Sequence, residues 1–251
     1  MNWNNKTLTR KLSIIGIALG LLWSSNGLAS ESIKPLNPPE KVTVAYVPIM
    51  KFATMYVAQS RKLFEKYGLD VTLRRVKSGT EAIAFLSEGK IDVGGIAIVT
   101  SLWNGWSRGL DLRIIAPGGL EPMENSPTAL IARADLMTNG SIKSVKDLKG
   151  MRIGVAGGPG SGGEYLLTKA LQQGGMMLND IKKVKIGNAD MPKALANQSI
   201  DAALTGPPYT TQSINDGHAK VLASDLAPGL MTVAFVGSGK FVNQRADVAE
   251  R

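Results

Sequence analysis

The sequence predicts an α/β protein with two similar lobes, each a small and mostly parallel sheet flanked by helices. Three observations lead to this prediction. Short apolar stretches typical of strands alternate with segments of helical periodicity, as in parallel βαβ units. The pattern of the first half recurs 109 positions later. A glycine-rich loop joins a strand to a helix in the second half, as expected of a ligand-binding turn.

Strands and helices alternate in the first half from residue 41 onward. Residues 30–40 precede them, and their three prolines indicate an extended lead-in. Gly68 and Gly89 follow two helical segments and are expected to end them. The predicted strands are 41–47, 71–76, 91–95 and 112–116, and the predicted helices are 53–67, 80–88 and 98–107.

The second half repeats this order of elements. An Ile-Asp pair after a helix and a short turn occurs in both halves, which makes coincidence a weaker explanation. We interpret Asp92 and Asp201 of these pairs as acceptors for nearby backbone N–H groups rather than as catalytic acids. The aligned segments are 42–47 with 151–156, 91–92 with 200–201 and, after a one-residue slip, 76–77 with 184–185.

The chain is expected to divide into five segments. Residues 128–149 join the lobes, and residues 231–236 form a second crossing, so that the two crossings make a hinge. The segments are a signal peptide (1–29), the lead-in (30–40), lobe 1 (41–130), lobe 2 (131–230) and a return segment to lobe 1 (231–251).

The first segment has the pattern of a secretory signal peptide. Lys6, Arg10 and Lys11 precede an apolar run at 12–23, and small residues lead to Ala29, where we expect cleavage. A membrane-spanning helix needs roughly 20 apolar residues, and this run is shorter. No cysteine stands near the cleavage position, so we expect no lipid anchor. The pattern predicts an exported, periplasmic protein.

Composition excludes several classes of site. The chain has no cysteine and one histidine, so disulfides, thiolate metal sites and histidine clusters are not expected. The formal net charge of +9 is spread along the chain without a basic block, which argues against a nucleic-acid partner. No nucleophile–base pair or carboxylate dyad at motif spacing is present. We therefore predict a binding protein that is not an enzyme and has no metal or cofactor.

The glycine-rich loop at 157–163 is the most informative local feature. It follows the predicted strand 152–156 and precedes the predicted helix 164–173. Glycines let backbone amides approach a ligand, and the helix N-terminus adds unpaired N–H groups and a positive dipole end. Ser161 is expected to donate a hydroxyl hydrogen bond or to cap the helix. No basic residue lies in the loop, and Lys51 is the nearest basic candidate.

A second interpretation treats this loop as a dinucleotide motif. Residues 158–163 match GxGxxG, and Asp190 follows the next predicted strand, where an acid that binds ribose would stand. This alternative is an oxidoreductase. The lone motif is weak, and Asp190 also fits as the N-cap of a helix at 192–198. The export signal argues against it as well, because we expect reduced nicotinamide cofactors in the cytoplasm.

The repeat predicts partners for the glycine loop. The loops at 48–53, 94–100 and 205–209 also follow strands, and open α/β sheets bind ligands at the carboxyl ends of their strands. Lobes that face each other would place these loops across one cleft.

Four segments resemble the substrate-binding components of nitrate, sulfonate and taurine ABC importers. The superfamily also includes binders of thiamine-pyrimidine precursors. The segments are PIMKFATMYVAQSRKLFEKYGLDVTL, EGKIDVGGIA, SVKDLKGMRIGVAGGPGSGGEYLL and QSIDAALTGPPY. The resemblance spans residues 41–251. It implies a two-lobed, type II-like periplasmic-binding-protein fold that closes on a small solute.

The resemblance implies a function as well. We expect a monomer that captures a small anionic solute and delivers it to an ABC transporter permease, or alternatively a binder of a pyrimidine or other heterocycle. A fungal pyrimidine synthase of this superfamily carries a cysteine-rich motif that this chain lacks. Family members usually continue beyond a segment like 240–251, so we expect the C-terminal helices of lobe 1 to be missing. The ligand-binding candidates are Met50, Phe52, Ala53, Gly94, Gly95, Ala97, Gly160, Ser161, Gly162, Gly163, Gly206, Pro207 and Tyr209.

Overall fold

A computed structural model of the chain describes residues 33–251, so the predicted signal peptide lies outside the described residues. The strands follow largely where apolar stretches predict them. In chain order they are β1 (Glu40–Tyr46), β2 (Leu69–Arg75), β3 (Val93–Ala97), β4 (Leu112–Pro117), β5 (Ala129–Arg133), β6 (Arg152–Val155), β7 (Lys182–Lys185), β8 (Ala202–Thr205), β9 (Ala219–Ala223) and β10 (Val233–Ser238).

Most of the helices connect these strands, and two follow the last one. No helix within residues 33–251 has the length and apolarity needed to cross a membrane. The helices are α1 (Ala53–Ser60), α2 (Leu63–Lys66), α3 (Gly79–Ser87), α4 (Thr100–Ser107), α5 (Ala134–Thr138), α6 (Gly162–Gln173), α7 (Met191–Ala196), α8 (Tyr209–Asn215), α9 (Gly239–Gln244) and α10 (Ala246–Ala249).

The strands form two five-stranded sheets of matching order. The first sheet runs β2-β1-β3-β10-β4 and the second runs β7-β6-β8-β5-β9. In each sheet one strand, β10 or β5, is antiparallel to both of its neighbours, and the other four strands share one direction. The predicted class, two lobes with mostly parallel sheets, is confirmed. We call the first sheet with its helices lobe 1 and the second lobe 2.

The two sheets repeat each other in their hydrogen bonds. The backbone N–H of Thr43 donates to Asp92 Oδ2 at 2.8 Å, and that of Arg152 donates to Asp201 Oδ2 at 2.9 Å. Each aspartate follows its partner by 49 positions, and the second pair lies 109 positions after the first. Both carboxylates tie the start of a central strand to its neighbour. The interpretation of these acids as structural acceptors is confirmed.

The alignment of Val76 with Val184 is wrong by two positions. Val76 N donates to Tyr46 O, and Ile186 N donates to Val155 O in the corresponding place of lobe 2. Side chains alternate along a strand with a period of two, so a shift by two residues preserves the apolar pattern. The pattern therefore determines the face of the strand but not its position along the neighbour.

The chain crosses between the lobes twice. The first crossing is 118–128 and the second is 224–232, and they pair as Glu121 N donates to Leu230 O at 2.9 Å and Gly229 N to Glu121 O at 3.1 Å. The first crossing ends where the predicted joining stretch begins. β5, which spans the expected boundary at residue 130, belongs to the second sheet. Its buried apolar sequence fits either sheet, because every residue of the strand is buried.

The predicted helix at 53–67 is two helices. Lys62 adopts a left-handed conformation with φ of 53° between α1 and α2, which interrupts the helical ladder. At the other end of the chain, α9 and α10 follow β10 and bring Phe241 and Val248 into the core of lobe 1. The apolar periodicity of 53–67 continues through the break, so it does not reveal the interruption.

Candidate functional site

A cleft of about 460 Å³ lies between the lobes, at the carboxyl ends of β1, β3, β6 and β8. Both lobes and both crossings line it. Its walls are largely apolar and its volume is that of a small-molecule site. Ten of the thirteen candidate residues line it: Met50, Phe52, Ala53, Gly95, Ala97, Ser161, Gly162, Gly163, Gly206 and Pro207.

Three candidates do not line the cleft. Gly94 faces the core of lobe 1, where an added Cβ would lie 3.3 Å from side chains of Ala82 and Leu86. Tyr209 begins α8 and lies beside Tyr56, whose pKa is raised to about 12 by burial and then by neighbouring tyrosines. Gly160 contacts the opposite lobe instead. These three residues were predicted as ligand contacts from their position in or beside loops, but that position does not determine the direction in which each residue faces.

The lobes touch on both sides of the cleft. Met50 N donates to Pro207 O across the lobes at 3.0 Å, and Ser101 N donates to Gly160 O at 3.0 Å. Between these contacts an added Cβ on Gly162 would lie 2.7 Å from the Cβ of Ala97. That distance is closer than two carbon atoms approach. The glycine at 162 therefore permits the lobes to come this close.

Ser161 caps α6. Its Oγ accepts a hydrogen bond from Glu164 N at 3.2 Å and donates one to Ala156 O at 3.1 Å. The hydroxyl therefore caps the helix, which is one of the two roles expected for it, and its hydrogen bonds stay within the loop. Glu164 in turn accepts a hydrogen bond from Gly160 N at 2.9 Å. It also forms an ion pair with Lys183, whose Nζ lies 2.6 Å from Glu164 Oε2.

Glu164 stays charged at neutral pH. Burial favours its neutral form, but the hydrogen bonds from Lys183 and Gly160, together with the Lys183 charge, hold its pKa below its usual value. The Gly160 amide was predicted to bind a ligand, but it already donates its hydrogen bond to the Glu164 carboxylate.

The amides of Gly162 and Gly163 are available. They are the first two residues of α6, and N–H groups at these positions have no partner within a helix. Neither donates a hydrogen bond to any described residue, and both residues line the cleft.

A second helix N-terminus reaches the cleft from lobe 1. Ser78 caps α3 by accepting a hydrogen bond from Glu81 N at 3.4 Å, and Gly79, the first helical residue, lines the cleft. An added Cβ on Gly157 would lie 3.6 Å from the Ser78 Cβ and 2.5 Å from the Ser161 Cβ, so the two capping serines lie near each other. Each helix start carries the positive end of a helix dipole, which a glutamate in the first turn, Glu81 in α3 and Glu164 in α6, partly offsets from outside the cleft lining. The cleft therefore has one region where two positive ends, one from each lobe, converge.

Lys51 lines the cleft but is not available to a ligand. Its ammonium group pairs with the carboxylate of Glu121 and donates to Thr232 Oγ1 at 3.1 Å. Burial lowers the pKa of Lys51 to about 8. Lys77 also lines the cleft, is exposed, and forms no ion pair with a described residue.

The sequence reasoning missed several cleft residues. Lys77 and Asn188 follow β2 and β7, so the rule that ligands bind at strand ends also predicts them. Glu121 lies in a crossing without a motif, and no local pattern identifies it. Within residues 33–251 no group of three or more histidine, aspartate or glutamate side chains is arranged to hold a metal ion.

Comparisons with known sequences give the chain its relatives. The family model described as NMT1-like family matches residues 36–250. A protein of Brucella abortus named as a binding protein is 31% identical over 147 residues, which are 59% of this chain and 41% of that protein. A 4-amino-5-hydroxymethyl-2-methylpyrimidine phosphate synthase of Uromyces fabae is 28% identical over 150 residues, 60% of this chain and 40% of the synthase. The chain spans less than half the length of these curated relatives.

Solved structures show the same fold. The alkanesulfonate-binding protein SsuA of Xanthomonas axonopodis pv. citri, bound to MOPS, superposes with a TM-score of 0.67 at 23% identity. The match covers 85% of this chain and 73% of that protein. The chain thus shares its two-lobed fold with this sulfonate-binding protein. The predicted resemblance to substrate-binding components of sulfonate importers is confirmed.

Proposed function

Because the chain belongs to the NMT1-like family, we propose that it captures a small anionic solute in the cleft and delivers it to the permease of an ABC importer. One observation carries the choice of an anion. Two helix N-termini, one from each lobe, present unpaired N–H groups to the same cleft. Export with cleavage near Ala29, a periplasmic location and a monomeric state are parts of this proposal.

The helix starts favour a negative group for a physical reason. Each dipole end stabilises a nearby negative charge by about 0.3–1 kcal/mol when exposed, and by more when partly buried. Gly162 and Gly163 add two backbone donors without side chains in the way. Sulfonate and carboxylate groups have the acceptor oxygens to use them. The MOPS bound to the Xanthomonas relative is itself a sulfonate, which supports this class.

The arrangement also accounts for capture by closure. In the closed form, an anion at the two helix starts contacts both lobes. In the open form, where the lobes are apart, it contacts only one of them. A ligand shifts a conformational equilibrium by its difference in affinity for the two states. The solute therefore favours the closed form, which a permease can distinguish from the open one.

The test is a thermal-shift screen followed by small-angle scattering. The panel contains MOPS, taurine, nitrate, bicarbonate and a thiamine-precursor pyrimidine. A true solute at about 100-fold excess over its Kd should stabilise the protein by roughly 2.7 kcal/mol. It should also reduce the radius of gyration. If no anion in the panel raises Tm, or if scattering is unchanged at saturation, the proposal is wrong.

The pyrimidine precursor is the second candidate solute, because one relative carries the name of a pyrimidine phosphate synthase. A rise in Tm with the pyrimidine alone would favour it. The dinucleotide alternative has less support. Its pyrophosphate would approach the Gly160 amide, which already donates to the charged Glu164 carboxylate. Titration of NADH fluorescence checks this, since saturable binding would restore the oxidoreductase interpretation.

A further inference from the structure

Glu121 is a buried carboxylate at the wall of the cleft, and the proposed function does not use it. Its residue is 3% exposed, and it lies in the first crossing. It accepts hydrogen bonds from Ser126 Oγ at 3.0 Å and from Thr232 Oγ1 at 3.2 Å, besides the ion pair with Lys51. All the groups that satisfy it come from lobe 1 or from the two crossings.

Lys51 is the cation that an anionic solute would otherwise use. Its side chain is 14% exposed, it lines the cleft, and Glu121 and Thr232 occupy its ammonium group. The exposed Lys77 is a weaker attractant, because solvent and salt screen exposed charges. The pair of Lys51 and Glu121 therefore leaves this part of the cleft without net charge.

We propose that Glu121 determines how many negative charges the cleft accepts. By holding the Lys51 ammonium, it leaves the two helix N-termini as the only strong anion site of the described cleft. A solute with one anionic group and an uncharged body fits this arrangement. A second anionic group on the solute would meet the Glu121 carboxylate and would have no cation to pair with. This inference rests on the proposed function for the position of the first anionic group.

Removing the carboxylate should convert the wall into an anion site. The variant Glu121→Gln keeps the shape of the side chain, and its amide can accept from Thr232 Oγ1 while it donates to Ser126 Oγ. The substitution removes the negative charge that pairs with the Lys51 ammonium. The control is the double variant Lys51→Met/Glu121→Gln, which has neither charge. The probe is inorganic sulfate, a dianion, compared with chloride at equal ionic strength. Thermal unfolding is measured at pH 6 and again at pH 5, because burial lowers the pKa of Lys51 to about 8 beside Glu121 and the loss of this carboxylate lowers it further.

Sulfate stabilises many proteins by exclusion from their surface, so the double variant sets the baseline. Glu121→Gln should show an additional rise in Tm that saturates with sulfate concentration. The wild type should match the double variant. The inference is overturned if Glu121→Gln behaves like the double variant, or if the wild type already shows the saturating rise.

A second comparison stands even if Glu121→Gln does not fold. The double variant has an uncharged wall, as the wild type does, so calorimetry should give affinities for propanesulfonate, a monoanion with an uncharged body, within about threefold of each other. A loss of tenfold or more would mean that Lys51 contacts the anion, which contradicts the inference. Failure of the wild type to bind any sulfonate would instead count against the proposed function. The sulfate experiment on Glu121→Gln would then still test the role of Glu121, because it does not depend on sulfonate binding.

Discussion

Glycines permit close contacts both within lobe 1 and between the two lobes. Phe52 is 1% exposed and covers Gly95, where an added Cβ would lie 2.6 Å from the ring. Across the cleft, an added Cβ on Gly162 would likewise lie too close to the Cβ of Ala97, at 2.7 Å. Both glycines stand where one surface presses on another, so a side chain at either place would hold those surfaces apart.

The variant Gly162→Val should weaken solute binding at least tenfold, or about 1.4 kcal/mol. The new side chain would clash with Ala97 before the lobes close, and it would also cover the free amides at the start of α6. Calorimetry with the solute from the screen measures the loss. The matched control is Gly158→Val in the same loop, because an added Cβ there meets nothing within 4 Å. Equal affinities for the two variants would mean that closure at Gly162 is not needed.

The central strands depend on one carboxylate in each lobe. Asp201 accepts hydrogen bonds from the backbone and side chain of Arg152, at 2.9 and 3.1 Å, so it fastens β8 to β6. Burial opposes its charge, but the hydrogen bonds from Arg152 and the charges of Arg152 and Arg133 hold its pKa below the usual value. A pKa that is lower in the folded state stabilises the fold at neutral pH, and this contribution disappears as acid protonates the group.

The variant Asp201→Asn should therefore have a lower Tm at pH 7 and a smaller loss of Tm on acidification than the wild type. The difference between the two proteins should shrink between about pH 5 and pH 2. Thermal unfolding by circular dichroism across this range measures it. The control is Asp216→Asn in the turn after α8, whose side chain makes no hydrogen bond within the described residues. If Asp201→Asn keeps the full acid sensitivity of the wild type, the carboxylate is not responsible for it.

At the scale of the whole molecule, the proposed capture by lobe closure assigns the contact at Gly160 to the closed form. An added Cβ on Gly160 would lie 3.2 Å from the Cβ of Thr100 in the opposite lobe. Disulfides join Cβ atoms that are about 3.5–4.5 Å apart, which a small adjustment would reach. The chain has no cysteine of its own, so an introduced pair can react only with itself.

The double variant Thr100→Cys/Gly160→Cys should form a disulfide that locks the cleft. The positive φ of 74° at Gly160 makes a side chain there strained, so some loss of stability is expected. Oxidised protein should neither bind added solute nor change its scattering, and a reducing agent should restore both. Thr100→Cys alone is the control. If the oxidised protein binds solute with the affinity of the reduced protein, solute enters the cleft without separation of the lobes.

Local sequence patterns predict the class of fold, the repeat and most of the residues that line the cleft. Apolar periodicity depends only on which neighbours along the chain face the core, so it located the strands, and the recurrence of Ile-Asp predicted the equivalent roles of Asp92 and Asp201. The glycine loop marked the start of α6 for the same local reason. Loops that follow parallel strands meet at one edge, and this rule placed ten of thirteen candidates at the cleft.

Three features follow only from tertiary structure: the correspondence of Val76 with Ile186 in the two lobes, the sheet to which β5 belongs, and the pairing of Lys51 with Glu121. These features join residues that are far apart in the chain, 70 positions in the case of the ion pair. A shift by two along a strand keeps its pattern, a buried strand suits either sheet, and a glutamate in a crossing carries no local signal. Only packing of the whole chain brings such residues together, and that packing determines the charge in the cleft.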